Sequence, residues 1–384
     1  MRVLILGGTG AMGMHLTKLL SDSGIDNVVT SRIYRVPEGR TCYIQGNARD
    51  VDFIRTILQE HWDVIVDFMI YSTSDFGNRV NRLLDATSQY VFLSSARVYA
   101  GTTALIAETS PRLLDASLDE EFLKTEEYSL IKARQEDILK LSGRSNWTVI
   151  RPYITYSESR LQLGTLEKEE WLYRALHGRT ILFSDDINSK VTTMTYGLDV
   201  ARGIASVLGN SHALGETFHI TTENPSRWSD ILAVYLSVLE KHLGKKPKVL
   251  FQNLDDFTRY RPGGKHQVIY DRLFDRQFDN SKISEYVDTA NFVKTDVGLK
   301  RCLECFLESP KFKNIDWVAE ALKDRQTKEH TPLREIKGIS QKLKYLTARY
   351  CWTWYCLSLR GYGIFRRSCK VFRKFSKAIK KERQ

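Results

Sequence analysis

The chain has 384 residues, 42% of them hydrophobic, which suits a two-domain globular protein with a full core. Its net charge of +11 is unevenly placed: residues 331–384 hold fifteen Lys or Arg and two acids, a net of +13, which leaves −2 for the first 330 residues. No run reaches the ~18 apolar residues of a membrane span, and the first apolar run stops at Gly7, too early for a signal peptide, so a cytoplasmic protein with reduced cysteines is expected.

Val3-Leu4-Ile5-Leu6 is long enough for a buried strand and too short for a helix. Gly7-Gly8-Thr9-Gly10 ends it. Ala11, Met12, His15, Leu16, Leu19 and Leu20 then recur at helical spacing. Strand, glycine turn and helix in that order form the context in which a turn binds phosphate. Gly7 permits the tight turn, Gly10 admits a pyrophosphate, and Gly13 lets the helix pack closely. The helix N-terminus then offers N–H groups and a favourable dipole to the anion. A bare turn without ligand has the same pattern.

Further strands are expected at 27–31, 42–44, 63–68, 90–94 and 147–150. Helices are expected at 50–58, 80–86 and 121–141. Strands alternating with helices at this spacing predict an α/β fold with a Rossmann-type, doubly wound parallel sheet. Ligands of such sheets bind beyond the carboxyl ends of the strands, where the glycine turn and Ser94-Ser95 both fall. From Arg151 the alternation loosens, with helices expected at 167–177 and 229–243 and a strand at 217–220. The expected division is a dinucleotide-binding domain over 1–150, a smaller substrate-binding region over 151–330, and a basic tail over 331–384.

Tyr128 and Lys132 stand one helical turn apart on one face. A phenol of pKa ~10 is a poor base at neutral pH, and a cation nearby favours the phenolate and eases proton transfer. Ser95, at the end of a strand, can hydrogen-bond a substrate oxygen. Each feature alone is also an ordinary surface or turn arrangement. Cys302-x-x-Cys305 has no second pair at zinc spacing, and Cys351 and Cys356 are separated by four residues rather than two, so no metal site is expected.

Taken together, the glycine turn, Ser94-Ser95-Ala96-Arg97-Val98-Tyr99 and Tyr128-x-x-x-Lys132 resemble the extended short-chain dehydrogenase/reductase family of nucleotide-sugar epimerases, dehydratases and ketoreductases. Gly46-Asn47-Ala48-Arg49-Asp50, Ile150-Arg151-Pro152-Tyr153 and Tyr196-Gly197-Leu198-Asp199-Val200-Ala201 are similar to later family segments, and the resemblance runs to about residue 325. It implies Ser95, Tyr128 and Lys132 as catalytic residues. It also implies Gly7, Gly10, Ala11, Met12, Gly13, Asn47 and Lys132 as cofactor contacts. Ser31-Arg32 stands where an NAD enzyme places an acid for the ribose. A hydroxyl and a guanidinium suit a 2′-phosphate, so NADP is favoured over NAD. Ala96-Arg97 replaces the Asp-Glu pair of the family's dehydratases, which argues against elimination. Ile154 replaces the substrate-facing Asn, with Thr155 and Lys190 as candidate substitutes. The expected function is a 4-epimerase or 4-ketoreductase acting on a nucleotide sugar, in surface-polysaccharide or glycolipid synthesis. The alternative is a non-catalytic or RNA-binding relative.

The tail is aromatic as well as basic. Tyr350, Trp352, Trp354 and Tyr355 cluster, and Cys369, Phe372, Phe375 and Ile379 repeat at helical spacing among Lys and Arg. This pattern suits peripheral contact with an anionic membrane surface. Nucleic acid is the less favoured partner, and a solvated or self-packing helix fits the same pattern.

Overall fold

The computed structural model describes residues 1–259 and 262–351. Among these, seven strands form one parallel sheet: β1 (Arg2–Leu6), β2 (Asp26–Ser31), β3 (Thr41–Gln45), β4 (Trp62–Asp67), β5 (Thr87–Leu93), β6 (Trp147–Pro152) and β7 (Glu216–Ile220). Their order across the sheet is β7-β6-β5-β4-β1-β2-β3. The chain winds outward from β1 to β3, then returns to the other side of β1. This reversal opens a crevice at the carboxyl end of β1, where such sheets bind ligands.

Side-chain alternation explains why both faces are covered. Val3 and Ile5, Val64 and Val66, and Val91 and Leu93 face one layer, against Leu16 and Leu20 of α1 (Gly13–Asp22) and Val200 and Ile204 of α4 (Gly197–Val207). Leu4 and Leu6, Ile65, Tyr90 and Phe92 face the other layer, with Ile54 and Ile57 of α2 (Val51–Ile57). Each such side chain contributes about 1.5–3 kcal/mol by leaving water. Asp50 caps α2 by accepting from the backbone N–H groups of Asp52 and Phe53. The helix expected at 121–141 is broken: Glu120–Leu123 forms one turn and α3 (Tyr128–Lys140) starts afresh. Glu127 causes the restart, because its carboxylate accepts from the Ser129 backbone N–H at 2.7 Å. The helix expected at 167–177 shrinks to Leu172–Leu176.

A further apolar cluster lies beside the sheet. It gathers Trp171, Trp228, Tyr235, Leu299 and Phe306 around α5 (Trp228–Leu243) and the helix Thr295–Glu308. Helices α6 (Trp317–Thr327) and α7 (Ile339–Tyr350) pack on each other through Ala321, Ile336, Tyr345 and Ala348. Thr331, where the sequence suggests that a tail begins, is buried and donates to Asp324 Oδ2 at 2.8 Å. No helix of the described residues is long and apolar enough to cross a membrane. The aromatic run from Trp352 and the repeat from Arg366 lie outside the described residues.

Two ionic clusters tie outer elements together. Arg174 is 0% exposed and donates to Glu320, Asp324 and Glu329 at 2.9, 2.9 and 3.0 Å. Glu158 lies 3.7 Å from His15 of α1 and also receives the Tyr196 hydroxyl, which ties the loop after β6 to the first helix. Removing one partner of a buried ion pair leaves the other charge stranded. Arg174→Ala should therefore lose about 3–5 kcal/mol of stability in denaturant unfolding, with α6 and α7 losing hydrogen-exchange protection first. The contact with His15, followed by that with Tyr196, holds the Glu158 carboxyl down at about 2. A carboxyl depressed in the folded state stabilises above its ordinary pKa of ~4.3 and loses that contribution as pH falls. Glu158→Gln should lower Tm at pH 7, and the gap to the parent protein should close between about pH 4.5 and 2 in calorimetry.

Candidate active site

The glycine turn is shaped by crowding on one side and space on the other. Gly7 adopts φ +73°, where side chains are strained. A Cβ on Gly13 would lie 2.5 Å from the Gly8 carbonyl oxygen, so α1 can approach the turn this closely only without one. A Cβ on Gly10 would meet nothing within 4 Å. The turn thus presents open backbone at Gly10, and the fit to a pyrophosphate is good. Ala11 packs its carbonyl against Gly197 of α4. Met12 turns the other way, and Thr155 Oγ1 reaches its sulfur at 3.7 Å.

A cavity of about 350 Å³ opens on the far side of the turn, lined by Gly7, Thr9, Ser31, Arg32, Asn47 and Arg49 among others. Its size and polarity suit an adenosine. The Ser31 hydroxyl donates to the Ile33 carbonyl at 2.8 Å and accepts from the Ile33 N–H. That hydroxyl is therefore committed locally, and the cations at this cavity are Arg32 and the unanticipated Arg49, both exposed.

On the near side Ser95, Tyr128 and Lys132 line one cavity of about 470 Å³, together with Met12, Ile154 and Thr155. The sequence thus identifies three residues that the fold brings together across thirty-seven positions. Ser95 lies at the carboxyl end of β5 and Tyr128 at the first turn of α3. Lys132 differs from expectation in what it touches. Its ammonium, 1% exposed, donates to the Leu93 carbonyl at 2.6 Å. Burial pushes that ammonium down to about 8, while Asp67 and then Glu136 pull it up. The cations acting on the phenol are instead Arg97 and Arg160. Burial raises Tyr128 above the ordinary phenol range, and Arg97, Arg160 and hydrogen bonding with Ser95 oppose that rise. The Arg97 guanidinium sits 5.3 Å from the Tyr128 ring centre and is held there by Glu127 at 2.5 Å.

A frame of buried polar groups fixes this geometry. Ser94 Oγ donates to Glu136 at 2.5 Å, and Arg151 binds the same carboxylate with both arms at 2.9 and 2.6 Å. Asp67, at the end of β4, accepts from Tyr90 at 2.9 Å and from the Met69 backbone N–H. Its carboxyl is raised by burial, against the pull of Met69, Tyr90 and Lys132. Arg97, Arg160, Asp67 and Arg272 escape sequence reasoning. Arg97 was visible in it only as the loss of a carboxylate pair. Lys190 lines a separate cavity with Thr102 and Phe274, away from Tyr128.

The profile of the NAD dependent epimerase/dehydratase family matches residues 3–221. Among curated proteins, the chloroplast stem-loop binding protein of 41 kDa b from Arabidopsis thaliana is 24% identical over 241 residues, covering 58% of this chain and 59% of its own length. The 2′-dehydrokanamycin reductase of Streptomyces kanamyceticus is 24% identical over 238 residues, covering 60% of this chain and 64% of its own. The chain thus spans about three-fifths of the length of these relatives. The structure of UDP-glucuronic acid 4-epimerase from Bacillus cereus in complex with NAD aligns with TM-score 0.59 at 18% identity, over 81% of this chain and 100% of that one. An enzyme of Bordetella bronchiseptica in complex with NAD+ aligns with TM-score 0.62 at 13% identity, over 81% and 99%. By the extent of the sequence match and by its Rossmann-like sheet, this chain belongs to the NAD dependent epimerase/dehydratase family.

Proposed function

We propose that the protein is an NAD(P)-dependent epimerase or ketoreductase acting at a sugar carbinol or ketone of a nucleotide sugar. The observation that carries this reading is the convergence of Ser95, Tyr128 and Lys132 on one cavity at the carboxyl edge of the sheet, next to Met12 of the glycine turn. The nicotinamide cofactor, when bound, supplies hydride acceptance and return. The chain's own residues do the rest. Gly7, Gly10, Ala11, Met12 and Gly13 hold the pyrophosphate, and Asn47 stands at the adenosine end. Residues 1–150 hold the cofactor and 151–330 supply the wall over the sugar.

Ser95 orients the sugar oxygen by hydrogen bonding, and the Tyr128 hydroxyl takes or gives the proton at that oxygen. Arg97 and Arg160 oppose the effect of burial on the phenol and keep proton transfer feasible. Lys132 is anchored by the Leu93 carbonyl and presents its remaining donors to the cofactor ribose. Arg32 and Arg49 flank the adenosine cavity, which favours the 2′-phosphate of NADP; Ser31 contributes to wall shape rather than to phosphate binding. An NADP-type pocket favours the reductase over the epimerase, because a reductase consumes free NADPH. Peripheral contact with an anionic membrane through the tail, and service in surface-polysaccharide or glycolipid synthesis, complete the proposal.

A second reading rests on the similarity to a protein named for stem-loop binding. An RNA-binding scaffold has no need of a Ser-Tyr-Lys set converging on one cavity, so the enzyme reading is preferred. The test mixes the purified full chain with NADPH and a panel of nucleotide sugars and their 4-keto forms. NADPH loss marks a reductase, and interconversion without loss marks an epimerase. Tyr128→Phe should lower turnover by about 10²–10⁴. Turnover of none of the panel, with Tyr128→Phe unchanged in every assay, sinks the enzyme reading. Arg32→Ala should weaken NADP binding about tenfold in titration and leave NAD binding within about twofold; equal losses for both cofactors would refute the phosphate assignment.

A further inference from the structure

A surface helix ordinarily turns its apolar stripe inward. Helix α7 does the opposite. Its inner face is short and partly polar: Tyr345 and Ala348 pack with Ala321 of α6, and the Tyr345 hydroxyl donates to Asp324 at 2.7 Å. Ile339, Leu343 and Tyr350 are spaced by four and then seven residues, so they share one side of the helix. That side is roughly opposite Tyr345 and Ala348. These three side chains are 78%, 59% and 64% exposed. Cations border the stripe. Lys342 lies on one flank and Lys344 on the other, and Lys337 stands just before the helix. None of the three lysines is paired with a carboxylate among the described residues. The one acid between Thr331 and Cys351 is Glu335. It turns inward, onto Arg179 at 3.0 Å and the Tyr173 hydroxyl at 2.8 Å. The outer face of α7 is thus apolar along its middle and positive at its edges, and contiguous exposed apolar surface of this kind marks an interaction site.

We propose that the outer face of α7 docks on an anionic lipid bilayer, with Ile339, Leu343 and Tyr350 entering the headgroup region and Lys337, Lys342 and Lys344 meeting lipid phosphates. This deepens the membrane contact proposed above and rests on it, but moves the contact from the tail to a folded helix of the body. Charge decides the occupant. Residues 352–384 hold ten Lys or Arg against one acid, so the chain's own continuation is repelled by this face. A second copy, meeting it across a two-fold axis, would set the same cations against each other. An anionic bilayer offers an apolar layer for the stripe and opposite charge for its rim. Tyr350 is followed in sequence by Trp352, Trp354 and Tyr355, residue types that favour the boundary between headgroups and hydrocarbon. The consequence is orientation. Helix α7 is packed on α6, and α6 is fastened to the buried Arg174. A bilayer that takes the outer face of α7 therefore holds the cluster around Trp171 at a fixed angle, which a free tether does not.

The test uses the full chain and vesicles of phosphatidylcholine, alone or with about one-third phosphatidylglycerol. Binding is read by co-sedimentation, and the state of α7 by hydrogen exchange. The parent protein should prefer the anionic vesicles, and α7 should gain protection on them. The double variant Ile339→Ser/Leu343→Ser should weaken that binding at least about tenfold. Lys337→Glu/Lys344→Glu leaves the apolar stripe intact and should weaken it about tenfold at low salt, and less at high salt. All four positions are outside the inner packing of α7, and the second pair keeps the test alive if the first folds poorly. Binding that both double variants retain in full, while Phe372→Ser/Phe375→Ser abolishes it, overturns the proposal and leaves the contact to the tail. Loss in the lysine pair alone, with the stripe variant unchanged, also overturns docking by the apolar face. A parent dimer that the stripe variant dissociates, without vesicle binding, gives the face to a second copy instead. Binding of the parent to neither vesicle removes the membrane reading itself, which separates the two failures.

Discussion

Lys132 carries an ammonium into a place from which water is excluded, and the cost of that burial dictates what surrounds it. The Leu93 carbonyl accepts one of its protons, and Asp67 and Glu136 face it with negative charge. Each of those acids is itself buried and needs donors. Asp67 takes them from Tyr90, Tyr71 and the Met69 backbone, and Glu136 from Ser94 and Arg151. The chain of obligations locks α3 to the carboxyl ends of β4, β5 and β6. Tyr128, one turn before Lys132, is placed by the same lock and by its contacts with Arg97 and Ser95. A network of this kind is rigid when complete and costly when broken.

The glycine turn meets the opposite constraint. Its value lies in what is absent at Gly10 and in how closely Gly13 lets α1 approach Gly8. The lock and the turn stand on either side of the sheet's reversal point, and Met12 belongs to both, as part of the turn and of the cavity wall. An apolar-backed floor with charged walls is suited to holding a ligand between two fixed groups rather than to adapting around it.

Much of this was legible in the sequence, and the physical reason is burial on both sides. Strands β1, β4 and β5 are continuous apolar runs because helices cover both faces. Glycine spacing and the Tyr-x-x-x-Lys pair are local, so they too could be read directly. The break in the helix at 124–127 has no periodic signal, because a glutamate also suits a helix interior and Glu127 acts as a cap only through the Ser129 N–H. Arg97 and Arg160 were missed for a different reason: their meeting over Tyr128 is a tertiary event between residues sixty-three positions apart, with no period to reveal it. The i, i+4 rule put Lys132 on the right face, yet it could not show that a strand carbonyl would claim the ammonium. Similarly, Thr331 reads as the start of a basic tail, whereas its burial against Asp324 and Tyr345 depends on α6 and α7 folding back on each other.

Arg174 and the acids that neutralise it are made at different times. Asp324 follows it by 150 residues. At a synthesis rate of 5–20 residues per second, the growing chain carries this guanidinium without its counter-charges for on the order of ten seconds. The apolar neighbourhood of Trp171 and Leu172 cannot close around an unpaired cation during that interval. The sheet, complete by Ile220, is free to form first. The outer cluster around Arg174 is thus completed only after the sheet, once α6 has been made.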